Sequence, residues 1–226
     1  MLVNSRIGVL GGTFDPIHFA HLRLAEEVIE EFSLDSVRLI PSADPPHREA
    51  PGASAIDRMR MVELATSSNQ ALIPDDRELK RNGKSYMVDT LESLRAEHPS
   101  ASISLILGTD AFVELESWDR WHQLFGLAHI IIAARPTVPL ATLSNSLQGD
   151  LKAEFHHRLS RNHSDIQSGE SGCVFTYDFT SLAVSGTSLR EQIHSDRSLR
   201  YLMPDNVIDY ISDHRLYRRS DSESGN

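Results

Sequence analysis

Hydrophobic residues in the first half of the chain switch between short unbroken runs and regularly spaced sets. Arg6 to Gly11 (RIGVLG) is apolar after its first residue and runs directly into Gly12, the pattern of a buried strand ending in a tight turn. From Phe19 to Phe32 the spacing changes: Leu22, Ala25, Val28, Ile29 and Phe32 recur at helical intervals, which predicts an amphipathic helix. The alternation then repeats. Ser36 to Pro41 reads as a strand, Ser42 to Ser54 as a proline-rich loop, and Ala55 to Ser67 as a helix with its charges outward. Ala71 to Pro74 reads as a short strand, Met87 to Glu97 as a helix, and Ser102 to Leu107 and His129 to Ala134 as further strands. Strand–helix alternation of this kind implies an α/β fold, a doubly wound parallel sheet with right-handed crossovers and helices on both faces.

Periodicity weakens in the last third. Thr137 to Cys173 reads as one helix and a loop, and VFTYDF (174–179) as strand-like. SGTSLREQIH (185–194) has the look of a capped helix start, and PDNVIDYISDHRLY (204–217) of a final helix with proline in its first turn. These form a small C-terminal helical part. Arg219 to Asn226 is polar and serine-rich and reads as a disordered tail, leaving residues 1–218 as one domain.

Composition narrows the function classes. A chain of 226 residues that is 40% hydrophobic can bury one substantial core. Its formal net charge of -10 argues against a broad nucleic-acid or anionic-membrane face. A small anionic substrate stays compatible, because a few local donors can hold phosphate against an unfavourable global field. No apolar run is long enough to span a bilayer, and the N-terminus has no signal-peptide pattern, so a cytoplasmic protein is expected. The single cysteine, Cys173, excludes an internal disulfide and a four-cysteine zinc site. Assembly into a homo-oligomer is left open.

In open parallel sheets ligands bind beyond the carboxyl ends of the strands, at the point where strand order reverses. Three polar segments fall there: GGTFDPIHFAH (11–21), PSADPPHR (41–48) and GTD (108–110). Gly11 and Gly12 let backbone N–H groups approach phosphate oxygens. His18 and His21, three apart at a helix start, project to one side of it and can donate hydrogen bonds to phosphate. The segment lacks the G-K-[ST] close of a P-loop and the G-x-G-x-x-G of a dinucleotide fingerprint. Plainer readings are a simple strand-to-helix turn with two surface histidines, or a metal pair, for which no Glu or Cys stands at ligand spacing.

GGTFDPIHFAH resembles the signature of the HxGH nucleotidyltransferase superfamily, with Ala20 where that family usually has glycine. VSGTSLR (184–190) is similar to its second motif, with Gly186 in place of a small hydroxyl residue. Ser185 or Thr187 would cap a helix whose N–H groups face an anion, and Arg190 would add a fixed guanidinium. Nearly the whole chain resembles bacterial nicotinate-nucleotide adenylyltransferases, through Pro45–Arg48, Glu78–Arg81 leading into Ser85, Tyr86 and Asp89–Leu91, Gly108–Asp110, and the pair Trp118 and Trp121.

The resemblance implies a Rossmann-like sheet, catalysis by His18, His21 and Arg190, and an ATP site that adds Gly11, Gly12, Thr13, Phe14, Ser185 and Thr187. It implies a nicotinate mononucleotide site from His47, Arg48, Tyr86, Met87, Gly108, Asp110 and Trp118, with Mg²⁺ carried by ATP phosphates and no protein metal cage. Trp118 is expected to stack on the pyridine ring and Trp121 to lie in the core. Met87 stands where that family often has threonine. Competing expectations are a transferase with another phosphate acceptor such as phosphopantetheine, and a non-catalytic nucleotide sensor, which would be expected to lose a histidine or Arg190.

Overall fold

The computed structural model describes residues 5–44, 50–134, 139–167 and 169–218. Strand β1 (Arg6–Gly12) leads into α1 (Phe19–Phe32), β2 (Ser36–Pro41), α2 (Ala55–Thr66) and β3 (Leu72–Pro74). A short α3 (Arg77–Lys80) and α4 (Met87–Glu97) carry the chain to β4 (Ser102–Gly108). Two further short helices, α5 (Thr109–Val113) and α6 (Trp121–Leu127), precede β5 (His129–Ala133). After α7 (Leu140–Ser146) and α8 (Gly149–Arg158) come β6 (Val174–Tyr177), α9 (Gly186–His194) and α10 (Asp205–Asp213).

All strand pairs are parallel, in the order β3-β2-β1-β4-β5-β6. Val9 is aligned with Arg38 on one side and Leu105 on the other. The chain leaves β1 toward β2 and β3, then returns to the other flank at β4. Order therefore reverses between β1 and β4, which is where a ligand crevice opens.

Each face of the sheet buries its own core. Leu22, Val28 and Phe32 of α1, Met61 and Val62 of α2, Leu189 of α9 and Ile211 of α10 pack on one side with Leu10, Leu39 and Phe175. Leu91 and Leu94 of α4, Phe112, Phe125 and Phe155 pack on the other with Val9, Ile103 and Leu105. Helix α1 shows why its sequence folds this way. Ala25 and Val28 are 0% exposed, and burying a Val-sized side chain is worth about 1.5–3 kcal/mol. A charge at Val28 would remove that contribution and leave an unpaired ion in the core.

Several boundaries differ from the sequence reading. The 137–173 segment holds two helices, α7 and α8, and a 3-10 turn over His163–Gln167, rather than one helix and a loop. Its helices are short and bury few side chains, Leu143 in α7 and Leu151 and Phe155 in α8, so no sustained period is available to read. Pro204 sits at the N-cap of α10 in extended conformation, one residue before the helix. The charges of α2 are not all outward: Arg58 is 1% exposed. The tail 219–226 lies outside the described residues, and among those described no helix is long and apolar enough to cross a membrane.

Candidate active site

The turn after β1 borders the switch point between β1 and β4, where open parallel sheets bind ligands. Gly12 ends the strand, aligned with Pro41 of β2. Phe14 follows with φ 49, a left-handed backbone, and its ring is buried. A non-glycine residue held there costs about 1–3 kcal/mol and persists only where its surroundings enforce it. The Asp15–Pro16 peptide is cis.

His18 is the N-cap of α1, in extended conformation, and its side chain makes no cap hydrogen bond. Its ring instead stacks on His21, with centroids 3.8 Å apart and planes 23° from parallel. The His21 ring meets Phe14 edge-on at 5.0 Å. No acidic residue lies in the first turn of α1. The end of α1 thus combines a positive helix dipole with two imidazoles held side by side, an arrangement suited to phosphate.

Helix α9 closes on the same loop from the other end of the chain. Ser185 caps it: its hydroxyl accepts from the Ser188 N–H at 3.2 Å, and the Ser185 N–H donates to the Ser188 hydroxyl at 3.3 Å. Of the two candidate caps, Ser185 is the one used. Thr187 instead accepts from Arg190 Nη2 at 3.4 Å. Arg190 Nη1 donates to the Asp15 carbonyl at 2.6 Å and lies 3.4 Å from the Asp15 carboxylate. Glycine at 186 has a steric reason: a Cβ there would stand 2.8 Å from the Asp15 carbonyl oxygen. Close approach of α9 to the β1 loop leaves no room for a side chain, hydroxyl-bearing or not.

A buried network unmarked by the sequence reading supports this junction. The Asp15 carboxylate accepts from the Gly52 N–H at 2.8 Å, the Ala53 N–H at 3.1 Å and the Tyr217 hydroxyl at 2.7 Å. Arg58 donates to the carbonyls of Thr13 at 2.7 Å, Ala53 at 3.3 Å and Ala43 at 3.5 Å. Burial pushes the Arg58 guanidinium below its ordinary value, against the pull of Asp15 and Tyr217. Burial, then the bond to Asp15, pushes the Tyr217 phenol up, so its hydroxyl stays a donor. The only sequence signal was Asp15 itself, lying inside the glycine motif; Arg58 and Tyr217 stand in segments with no motif of their own.

Of the other expected site residues, Gly108 and Asp110 follow β4, and Tyr86, Met87 and Trp118 pack against the core on that side of the sheet. Tyr86 is the N-cap of α4, and Met87 its first residue. Met87 reaches over the β1 turn, since a Cβ on Gly11 would stand 2.5 Å from its methyl. Gly108 ends β4 and caps α5, so Asp110, exposed, sits in the first helical turn just beyond the carboxyl end of that strand. Trp118 follows a 3-10 turn over Leu115–Ser117 and is half-buried against the core. Arg120 pairs with Asp89 of α4, tying the Trp118 segment to the first turn of that helix. Trp121 is buried in the core as expected. Ser85 accepts from the N–H groups of Ala43 and Asp44 and so holds the upstream end of the proline-rich loop. His47 and Arg48 lie outside the described residues.

Among the described residues no group of three or more His, Cys, Asp or Glu side chains could hold a metal ion. Asp15, the carboxylate nearest the motif, already faces two N–H groups, a hydroxyl and a guanidinium.

Comparison with known proteins agrees with this geometry. The cytidylyltransferase-like family model matches residues 9–192. A protein of Dechloromonas aromatica named "probable nicotinate-nucleotide adenylyltransferase" is 43% identical, covering 95% of this chain and 98% of its own length. One of the same name from Pseudomonas fluorescens is 45% identical, covering 96% and 99%. The fold matches that of Plasmodium falciparum nicotinic acid mononucleotide adenylyltransferase solved with NaAD, at TM-score 0.70 and 17% identity over 95% of this chain and 98% of that one. Identity at this level over nearly all of both chains leaves one assignment: the chain belongs to the nicotinate-nucleotide adenylyltransferase family of cytidylyltransferase-like proteins.

Proposed function

We infer that the crevice between β1 and β4 carries adenylyl transfer: the protein moves AMP from ATP to nicotinate mononucleotide, releasing pyrophosphate and a dinucleotide for NAD synthesis. The observation that carries this reading is the meeting of two helix N-termini on one loop, with His18, His21 and Arg190 around it. The mononucleotide phosphate attacks the α-phosphorus of ATP; the bond to the bridging oxygen of the β-phosphate breaks and pyrophosphate departs. No covalent enzyme intermediate is required.

The protein's task is to bring two anions together and neutralise charge. Correct placement alone supplies about 7–11 kcal/mol of such a barrier. Each fixed donor on developing charge adds about 3–4 kcal/mol. His18, His21 and the N-terminus of α1 are assigned to the ATP phosphates, with Gly11, Gly12, Thr13 and Phe14 shaping the approach and Ser185 and Thr187 ordering α9. Arg190 is assigned to the leaving pyrophosphate, where its planar fork can make paired hydrogen bonds. Mg²⁺ carried by the ATP phosphates would supply charge neutralisation; the Asp15 carboxylate is already engaged by Gly52, Ala53 and Tyr217.

The acceptor is assigned to the β4 side. Trp118 stacks on the pyridine ring, Asp110 accepts from ribose hydroxyls, Tyr86, Met87 and Gly108 line the base, and His47 and Arg48 meet the mononucleotide phosphate. Methionine cannot donate to a carboxylate, so backbone N–H groups near Met87 are the selector. Two such donors pair fully with a carboxylate, whereas an amide leaves one unpaired at about 1–3 kcal/mol, a tenfold to hundredfold preference for nicotinate. The enzyme is assigned to the cytoplasm and to one domain over residues 1–218. A side-by-side assay of pyrophosphate release from ATP with nicotinate mononucleotide, its nicotinamide counterpart and phosphopantetheine tests this. Preference for nicotinamide overturns the acceptor assignment; activity with phosphopantetheine alone overturns the pyridine substrate.

A further inference from the structure

Tyr217 is the last buried residue of the described chain, 7% exposed, and it sits at the centre of the network behind the catalytic loop. It follows α10 in a turn where Arg215 and Tyr217 both take left-handed backbone, with φ 50 and 62. A non-glycine residue is held in that conformation only by its surroundings. The surroundings are on the other side of the sequence. The hydroxyl donates to Asp15 Oδ1 at 2.7 Å, across 202 residues of chain. The ring covers Gly52: a Cβ at Gly52 would stand 2.9 Å from the ring and 3.3 Å from Arg190 Cδ. Gly52 is thus pressed between Tyr217 and Arg190, while its N–H donates to the same Asp15 carboxylate that Arg190 approaches at 3.4 Å.

We propose that Tyr217 is a positioning residue for adenylyl transfer, fixing Asp15 and Gly52 and, through them, both Arg190 and the downstream end of the proline-rich loop. The proposal rests on the reading of the site as an adenylyltransferase. Tyr217 is assigned no substrate contact; its hydroxyl meets Asp15 and its ring Gly52. Its hydroxyl sets the direction in which the Asp15 carboxylate faces, and Asp15 in turn receives Arg190 through its carbonyl at 2.6 Å and its carboxylate. One group therefore orients Arg190 and the Gly52–Ala53 end of the proline-rich loop together. A small misplacement of either is costly, because the rate depends on in-line alignment.

Tyr217→Phe removes the hydroxyl and keeps the ring. Expected is a fall of about tenfold in kcat with a raised KM for nicotinate mononucleotide and a melting temperature close to that of the parent. Asp15→Asn with Tyr217→Phe is expected to be no slower than Asp15→Asn alone, because both changes cut one path. Gly52→Ala, which wedges a methyl between ring and arginine with the hydroxyl intact, is expected to give the same kinetic signature. The proposal is overturned if Tyr217→Phe has parental kcat and KM, if its loss multiplies in full with that of Asp15→Asn, or if Gly52→Ala is kinetically silent. Should Tyr217→Phe fail to fold, Gly52→Ala decides alone. Absence of turnover by the unmodified chain with ATP and nicotinate mononucleotide would instead refute the adenylyltransferase reading, an outcome separable from all of these.

Discussion

The two sides of the crevice are built differently. On the β1 side, backbone meets backbone: Gly186 leaves no space against the Asp15 carbonyl, Arg190 and Arg58 bind carbonyl oxygens, and His18 is 5% exposed. On the β4 side the described acceptor residues, Tyr86, Met87, Gly108, Asp110 and Trp118, are half-buried or exposed, and they lie at the starts of separate helices, α4 and α5, and after a 3-10 turn. Even the contact joining the sides is soft, a Met87 methyl over Gly11. The difference teaches how the labour is divided. On the proposed assignment a triphosphate would be met by a preformed cradle and the mononucleotide by side chains able to adjust, and preformed sites lose more from small displacements than adaptable ones.

The largest effect is expected at the histidines. His21→Ala should lower kcat by about 100-fold or more, with the fold retained by near-ultraviolet circular dichroism. Near-parental pyrophosphate release from that folded variant would abolish the distinction between a fixed donor side and a mobile acceptor side. Next comes Trp118→Ala, expected to raise KM for nicotinate mononucleotide about tenfold to a hundredfold through lost stacking. Its KM for ATP should move far less; parallel changes in both would show that the tryptophan serves the core and not the ring.

Arg190→Lys keeps the charge and loses the planar fork, so a loss of about tenfold in kcat is expected despite charge conservation. Full activity would mean that Arg190 acts as a diffuse charge. The smallest and sharpest contrast lies in two glycines. Gly186→Ala meets a backbone carbonyl and should cost about 1–3 kcal/mol in denaturant unfolding, with reduced turnover. Gly11→Ala meets the free end of a methionine, which can swing away, and should cost less while shifting the acceptor KM more than that for ATP. Equal penalties would argue that both sides of the crevice are rigid.

Legibility followed sequence distance. Helix α1 was readable to its ends because fourteen residues carry a full apolar stripe, and His18, His21 and the glycines because they are contiguous. Arg190 was readable only beside the first motif. The Asp15 network was not, since its bonds link residues 37, 175 and 202 positions apart and leave no local pattern. Arg58 resembles any charge on a helix; nothing short of the tertiary structure says that it points inward to three carbonyls. On the acceptor side, α5 itself was not legible, because its five residues carry too little periodicity to announce a helix.

The distance of 175 residues between Asp15 and Arg190 has a consequence for synthesis. His18 and His21 leave the ribosome early, and β1 cannot find its β4 neighbour until residues 96 positions further on, Ser102 for Arg6, have emerged. The second half of the phosphate cradle, α9, is translated after every strand of the sheet. A nascent chain thus carries imidazoles without the arginine that would complete the cradle. If these residues hold ATP as proposed, its capture would wait until α9 docks, and fragments released before residue 190 would not draw on the nucleotide pool.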